Sequence, residues 1–229
     1  MLLAIPHLLT SDQIAEVRQL IDRGRWVDGK ATAGVQSGLA KHNLQIAADC
    51  ERGRQASGII TRALSANGLF MSAALPKTII PPLFNRYDGR ETHAFGNHVD
   101  NAIRFLPDGL GAIRTDLSAT LFLTEPGDYQ GGELVIEDSY GAHEVKLAAG
   151  DMILYPSTSL HRVEPVTVGS RVASFFWIES RVRDDTQRSI LLDMDAAVRS
   201  LAQSLGDERA EVVALTGCYH NLLRQWANG

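Results

Sequence analysis

A mainly β chain with helices at both ends, its strands packed as a β-sandwich or jelly roll, is the fold class this sequence predicts. Three observations predict it. Between about residue 77 and residue 179, short runs rich in β-branched and aromatic residues follow one another, punctuated by Gly, Pro and Asp. No helical period separates these runs, as it would in a chain of alternating strands and helices. Before and after that stretch the apolar period is helical.

The elements follow in order. The opening MLLAIPHLLTSDQ is apolar without a preceding basic residue, so it reads as a first strand running into a helix and not as a signal peptide. Thr10 and Gln13 form a capping-box pattern, Ile14, Val17 and Ile21 mark one helical face, and Gly24 stops it. Residues 27–42 (VDGKATAGVQSGLAKH) carry Gly29, Gly34 and Gly38 and little periodicity, which predicts a loop long enough to act as a lid. A second helix is expected from about Arg52 to Asn67, with Ile59, Ile60, Ala63 and Leu64 inward. Strands are expected near 77–87, 93–100, 113–124, 132–137, 143–147, 151–155, 160–167 and 171–179. Breaks are expected at Asp88-Gly89, Pro107-Asp108-Gly109, Pro126-Gly127-Asp128, Ser139-Tyr140-Gly141, Gly150 and Val168-Gly169-Ser170. Gly131-Gly132 reads as a turn or bulge. After Glu179, Ile190, Leu191, Met194, Val198, Leu201 and Leu205 stripe one helix behind Asp184 or Asp185. Val212, Leu215, Tyr219, Leu222 and Trp226 stripe another behind Asp207. Such stripes suit packing against the sheet or against a second copy of the chain, a homo-oligomer.

Composition bounds the function. At 229 residues and 45% hydrophobic, the chain can build one large domain, or one with a small extension. A net charge of −5 with no long basic run argues against a nucleic-acid partner. Cys50 and Cys218 alone make no disulfide framework, and no Cys-x-x-Cys occurs. No apolar run approaches the roughly 18 residues a membrane span needs. The expectation is a soluble, cytoplasmic protein with no membrane partner.

The chemistry starts at His98-Val99-Asp100. On a strand, residues i and i+2 point to one face, so an imidazole and a carboxylate converge. One further His would complete a facial set of two His and one carboxylate, which leaves positions open on a metal ion. His143, His161 and His220 are the downstream candidates, and among them only His161 has a basic residue, Arg171, ten positions on. A guanidinium on the adjacent strand can clamp a carboxylate in a bidentate fork. Spacing alone does not decide the matter, because His42 and Arg52 share it. The plain alternatives are a hydrogen-bonded surface pair at His98 and Asp100, a satisfied core imidazole at His161, and an Arg171 paired with Glu164 or Glu179. His93 and His143 are read as structural.

Several stretches resemble the bacterial PKHD-type hydroxylases, a branch of the prolyl-4-hydroxylase-like iron and 2-oxoglutarate oxygenases. They are FNRYDGRETHAFGNHVDNAIR (84–104), RTDLSATLFLTEPGDYQGGELVIED (114–138), GDMILYPSTSLHRVEPVTVGSRVASFFWIES (150–180) and CYHNLLRQWA (218–227), with WVDGKATAG (26–34) and KHNLQI (41–46) beside them. The resemblance covers nearly the whole chain. It implies a double-stranded β-helix (jelly-roll) core in a dioxygenase domain over residues 1–180, with a helical extension over 181–229. It implies Fe(II) on His98, Asp100 and His161, 2-oxoglutarate on Arg171, and a requirement for L-ascorbate (vitamin C). The implied reaction is hydroxylation of a small-molecule or peptide substrate with O2, releasing succinate and CO2. Family members sit near iron-uptake systems, which makes an iron-related small molecule an expected substrate. Tyr87, at a strand end before the metal strand, is a candidate donor to 2-oxoglutarate. Trp26, Lys41, Asn43 and Gln45 are candidate substrate contacts. Competing readings are a demethylase of alkylated nucleic acid, a non-redox cupin-like metal or small-molecule binding module, and an interaction protein working through its C-terminal helices.

Overall fold

Period-two alternation dominates the middle of the chain and builds two antiparallel sheets. The structure, a computed structural model, describes residues 1–32, 38–106, 109 and 111–227. The major sheet runs β1 (Leu3–Ile5), β14 (Met152–Pro156), β10 (Leu117–Phe122), β16 (Val166–Ser180), β6 (Leu83–Asp88), β4 (Leu44–Ile46), β2 (Trp26–Asp28). Strands β5 (Pro76–Ile79) and β11 (Tyr129–Gly131) also pair with β16. The minor sheet runs β13 (Gly141–Val145), β12 (Leu134–Asp138), β15 (Leu160–Val163), β7 (Ala94–His98), β3 (Lys41–His42). Strands β8 (Ile103–Phe105) and β9 (Ala112–Arg114) form a separate hairpin. This is the jelly-roll architecture the sequence predicts.

Alternation on the major sheet sorts side chains into two cores. Leu117, Ala119 and Leu121, Met152 and Leu154, Val172, Phe176 and Ile178, and Phe84 face the helices α1 (Ser11–Asp22), α2 (Glu51–Ala66) and α3 (Gly68–Ala74). The intervening Phe122, Ile153, Tyr155 and Tyr87 face the minor sheet's Leu134, Ile136, Val145 and Val163. Strand β10 is therefore buried along its whole length. The predicted faces of the first two helices hold: Val17, Ile21, Ile59, Ile60, Ala63 and Leu64 are all buried. Truncating Ile60 or Leu64 to Ala costs about 2–5 kcal/mol on the usual core scale. The capping box is formed, with Gln13 N donating to Thr10 Oγ1 (3.3 Å) and Thr10 N to Gln13 Oε1 (2.9 Å).

Several boundaries differ from the sequence expectation. The 77–87 run splits, because Pro81 and Pro82 lack the N–H a ladder needs. The 113–124 run splits at Thr115-Asp116, its first part joining the β8–β9 hairpin. No break falls at Val168-Gly169-Ser170: β16 runs through it, Gly169 taking φ +73° opposite Tyr129, and the chain turns instead at Glu164-Pro165. The ends of the 27–42 loop are strands β2 and β3; residues 33–37, the part that bears on a lid, lie outside the described residues. Asn67 ends α2 and also caps a helix the sequence reading missed, accepting from Phe70 N at 2.8 Å to start α3.

Two helices follow the sheets, α4 (Asp185–Leu205) capped by Asp184, and α5 (Ala210–Trp226). The latter starts beyond Arg209, so Asp207 is not its cap. The buried Arg188 ties α4 to the sheet end by donating to the carbonyls of Val182 and Arg183, both at 2.8 Å. Leu191 and Val212 are buried, but Ile190, Leu201, Leu205 and Leu215 remain exposed, so the stripes are only partly covered.

Candidate functional site

Two cross-strand pairs, one on each sheet, make the site. On the minor sheet His161 of β15 lies directly opposite His98 of β7, their ring centroids 4.1 Å apart. On the major sheet Arg171 of β16 lies directly opposite Tyr87 of β6. Both pairs line one cavity between the sheets, of about 680 Å³ with its open mouth.

Asp100 joins the imidazoles by a route different from the expected one. Strand β7 ends at His98, so Asp100 lies in the loop beyond it and the i, i+2 strand argument does not apply. Ser118 of β10, on the opposite sheet, holds it by donating to Asp100 Oδ2 at 2.6 Å. Ser157 Oγ lies 2.7 Å from Ser118 Oγ. A carboxylate only accepts, so the hydroxyl relay runs from Ser157 to Ser118 to Asp100.

The three residues fit a metal ion. Their ligand atoms all lie within 4.8 Å of one another, and His161 Nε2 stands 3.8 Å from Asp100 Oδ2, a gap that one ion with bonds of about 2 Å can bridge. His98 Nδ1 donates to Gly96 O (2.8 Å) and His161 Nδ1 to Ser159 O (3.0 Å). With Nδ1 protonated, each Nε2 keeps its lone pair for a metal. Burial first, then the neighbouring His161, lowers the His98 pKa to about 4, so the ring is neutral at ordinary pH. Phe95 stacks on it at 3.6 Å and fixes its plane.

The deep end of the cavity is cationic and short of hydrogen-bond acceptors. Arg171 is 1% exposed, and among the described residues its Nε and Nη1 have no hydrogen-bond partner. Neither expected carboxylate neutralises it: Glu164 binds Arg162, and Glu179 faces Arg114 and Lys77. Its guanidinium lies 5.3 Å from the Tyr87 ring and 5.2 Å from that of Phe122. A cation this buried and this short of partners is unfavourable alone and suits a carboxylate. Gly132 makes the room, since a Cβ there would come within 3.1 Å of Arg171 Cδ.

The other sequence candidates divide. Lys41 and Gln45 line the cavity. Burial, then repulsion from Arg104, lowers the Lys41 pKa to about 8. Trp26 and Asn43 are not among the lining residues. Trp26 packs in the scaffold, its Nε1 donating to Ile21 O at 3.0 Å and its ring under Arg86. Asn43 is buried beside the Tyr87 hydroxyl. His143 pairs with Asp138 at 2.9 Å, and His93 Nδ1 accepts from Asp88 N, both away from the cavity. Sequence reasoning missed Asn85, Thr120, Tyr155, Ser118, Phe175 and Trp177. Strand alternation pointed to several of them, because 85 with 87, 118 with 120, and 171 with 175 and 177 share faces.

Comparison with known proteins agrees with this geometry. A profile for the 2OG-Fe(II) oxygenase superfamily matches residues 82–179, and one for the PKHD-type hydroxylase C-terminal domain matches residues 185–228. A PKHD-type hydroxylase of Phenylobacterium zucineum is 58% identical over 227 residues, 99% of each chain. The chain belongs to the PKHD-type hydroxylases. A second relative, from Caulobacter vibrioides, is 57% identical over the same share of each chain. The hydroxylase is thus an enzyme of the class that uses Fe(II) and 2-oxoglutarate, which sets aside the non-redox binding-module reading. Two solved structures share the fold. The Pseudomonas putida prolyl-4-hydroxylase has a TM-score of 0.52 at 21% identity, covering 79% of this chain and 92% of that one. A Trichoplax adhaerens prolyl hydroxylase, solved with a hypoxia inducible factor peptide fragment, has a TM-score of 0.55 at 17% identity, covering 82% and 86%. Among the described residues, no helix is long and apolar enough to cross a membrane.

Proposed function

We propose that the hydroxylase binds Fe(II) through His98, Asp100 and His161 and 2-oxoglutarate through Arg171 and Tyr87, and hydroxylates an organic or peptide substrate with release of succinate and CO2. The observation that carries this reading is the Arg171 guanidinium, its Nε and Nη1 without hydrogen-bond partners among the described residues, buried in the same cavity as the His98, Asp100 and His161 cluster. When bound, iron supplies oxygen activation coupled to oxidative decarboxylation of 2-oxoglutarate.

The chain's own residues do the positioning. Nδ1–H bonds to backbone carbonyls fix both imidazole tautomers, and Ser118 fixes the carboxylate between them. Arg171 fixes the far carboxylate of 2-oxoglutarate, with the Tyr87 hydroxyl as a second donor. Burial raises the Tyr87 pKa against the opposing charge of Arg171, so the phenol keeps its proton to donate. Phe122, Ile153 and Val166 belong with Tyr87 to the apolar core between the sheets, and the Phe122 ring lies 5.2 Å from the Arg171 guanidinium. The reading divides the chain into an oxygenase unit over 1–180 and a helical extension over 181–229, supported by profile matches that end at 179 and resume at 185. Ascorbate as reductant and a substrate linked to iron uptake belong to this proposal on the strength of the family resemblance.

Anaerobic reconstitution with Fe(II) and 2-oxoglutarate, followed by oxygen and a substrate panel, tests it by succinate release. Succinate is expected from the parent and not from His98→Ala. Absence of both 2-oxoglutarate binding and succinate with every substrate would overturn the proposal.

A further inference from the structure

The β8–β9 hairpin at the cavity mouth inverts the usual pattern. On β8 the apolar Ile103 and Phe105 point outward, 53% and 82% exposed, while the charged residue between them points in. Arg104 lines the cavity, and its guanidinium carbon lies 3.4 Å from the centre of the Trp177 ring. Its cross-strand partner Ile113 is buried in one small cluster with Trp177 and Ile80, which holds the hairpin in place. Among the described residues Arg104 has no ion pair, and its Nε is buried without a hydrogen-bond partner. The hydrophobic effect alone would turn such a strand over; an inward arginine between two outward apolar residues needs another cause.

The charge balance of the site supplies one. Among the described residues that line the cavity, Asp100 is the single carboxylate, against Lys41, Arg104 and Arg171. With iron and 2-oxoglutarate bound, the doubly positive ion, Asp100, the doubly negative cosubstrate and Arg171 sum to zero. Lys41 has Asp28 as well as Asp100 within electrostatic reach. Among the described residues Arg104 has Asp100 alone, which bound iron would claim. The loaded cavity therefore carries an uncompensated guanidinium above apolar walls made by Phe95, Phe175 and Trp177.

We infer that Arg104 is the receptor for a carboxylate on the prime substrate, and that this substrate presents an apolar segment beside that carboxylate. This inference rests on the metal and cosubstrate assignment above. The Trp177 face orients the guanidinium plane, leaving its edge to grip both carboxylate oxygens. The apolar segment then lies along Phe95 and Phe175, beside His98. Phe95 packs against that metal-ligand ring, so a C–H bond of the segment is delivered to the reacting position. Arg104 selects the substrate and takes no part in holding 2-oxoglutarate.

The test uses the full chain loaded with Zn(II), a redox-silent stand-in for iron, and with 2-oxoglutarate. Calorimetric titration compares 4-phenylbutyrate with its uncharged amide, 4-phenylbutyramide. A charge-assisted fork against a neutral contact predicts that the acid binds about tenfold tighter. Arg104→Gln is expected to bring the two ligands within about twofold of each other, by loss of that charge-assisted advantage. Arg104→Lys is expected to keep part of the preference, as a point charge without the fork. Binding of 2-oxoglutarate is expected to be equal in parent and Arg104→Gln, which also shows that the variant is folded. Equal affinity of acid and amide for the parent, no binding of either, or a preference that survives Arg104→Gln would each overturn the inference. Failure of the parent to bind 2-oxoglutarate would instead bring down the cosubstrate assignment on which it rests.

Discussion

Replacing Arg171 by Met removes the charge at the floor of the cavity while keeping most of the side-chain volume, and two quantities should move differently. For the cosubstrate, the loss is a bidentate charge-assisted pair at about 1.5–3 kcal/mol per bond, so at least about 3 kcal/mol, or roughly a hundredfold in Kd. For the metal-free fold the sign is not that of a lost salt bridge. At 1% exposure, with Nε and Nη1 unpartnered among the described residues, the guanidinium carries a desolvation cost that nothing nearby repays in full. Its ring contacts with Tyr87 and Phe122 return about 2 kcal/mol each at most, comparable with that cost, so apo stability should stay within about 1 kcal/mol of the parent. Calorimetric titration of the Zn(II)-loaded protein with 2-oxoglutarate reads the first quantity, and urea unfolding of the apo protein reads the second. A Kd within about threefold of the parent would refute the anion-receptor argument. So would a destabilisation of about 3 kcal/mol or more, which is the mark of a charge whose partner lies within the fold.

Further outcomes follow from neighbouring residues. Ser118→Ala removes the hydroxyl that orients Asp100, and should weaken Mn(II) binding by about tenfold while leaving the fold intact; unchanged affinity by calorimetry would contradict the relay. His98 is held neutral with its pKa lowered to about 4, against 6.5 for an ordinary imidazole, so the unfolded chain takes up the proton first. Apo stability is therefore fully present above about pH 6.5 and is lost as the pH falls towards about 4. His98→Gln should flatten that slope in urea unfolding, and an unchanged slope would show that another group causes it. Gly132 takes φ +70°, and an added Cβ would meet Val166 Cγ2 at 2.8 Å and Arg171 Cδ at 3.1 Å. Gly132→Ala should cost about 1–2 kcal/mol from the left-handed backbone alone and should weaken 2-oxoglutarate as Arg171 is displaced. A melting temperature and an affinity equal to the parent's would refute both parts.

Much of the architecture was legible in local pattern. The alternation of Leu117, Ala119 and Leu121 with Ser118, Thr120 and Phe122 announces a strand buried on both faces. The Thr10–Gln13 box and the Ile59, Ile60, Ala63, Leu64 face announce helices. The residues that meet in the cavity were legible too, in His98-Val99-Asp100, His161 and Arg171. What misled was punctuation. Gly169 looks like a break but can take the positive φ of a continuing strand, whereas Pro165 cannot donate to a ladder and does interrupt it.

The sequence by itself therefore determined which residue types stand on which face of each strand and helix, because those periods are local consequences of backbone geometry. Only the tertiary structure decided which faces meet. It set His161 opposite His98, brought Ser118 of the other sheet to Asp100, left Arg171 buried without a counter-ion among the described residues, and turned Arg104 inward over Trp177. Sheet order is non-local: β16 pairs with β10, β6, β5 and β11, strands spread from residue 76 to residue 131. That order is settled by burying both faces of the major sheet at once, a condition on the whole chain that no window of sequence contains.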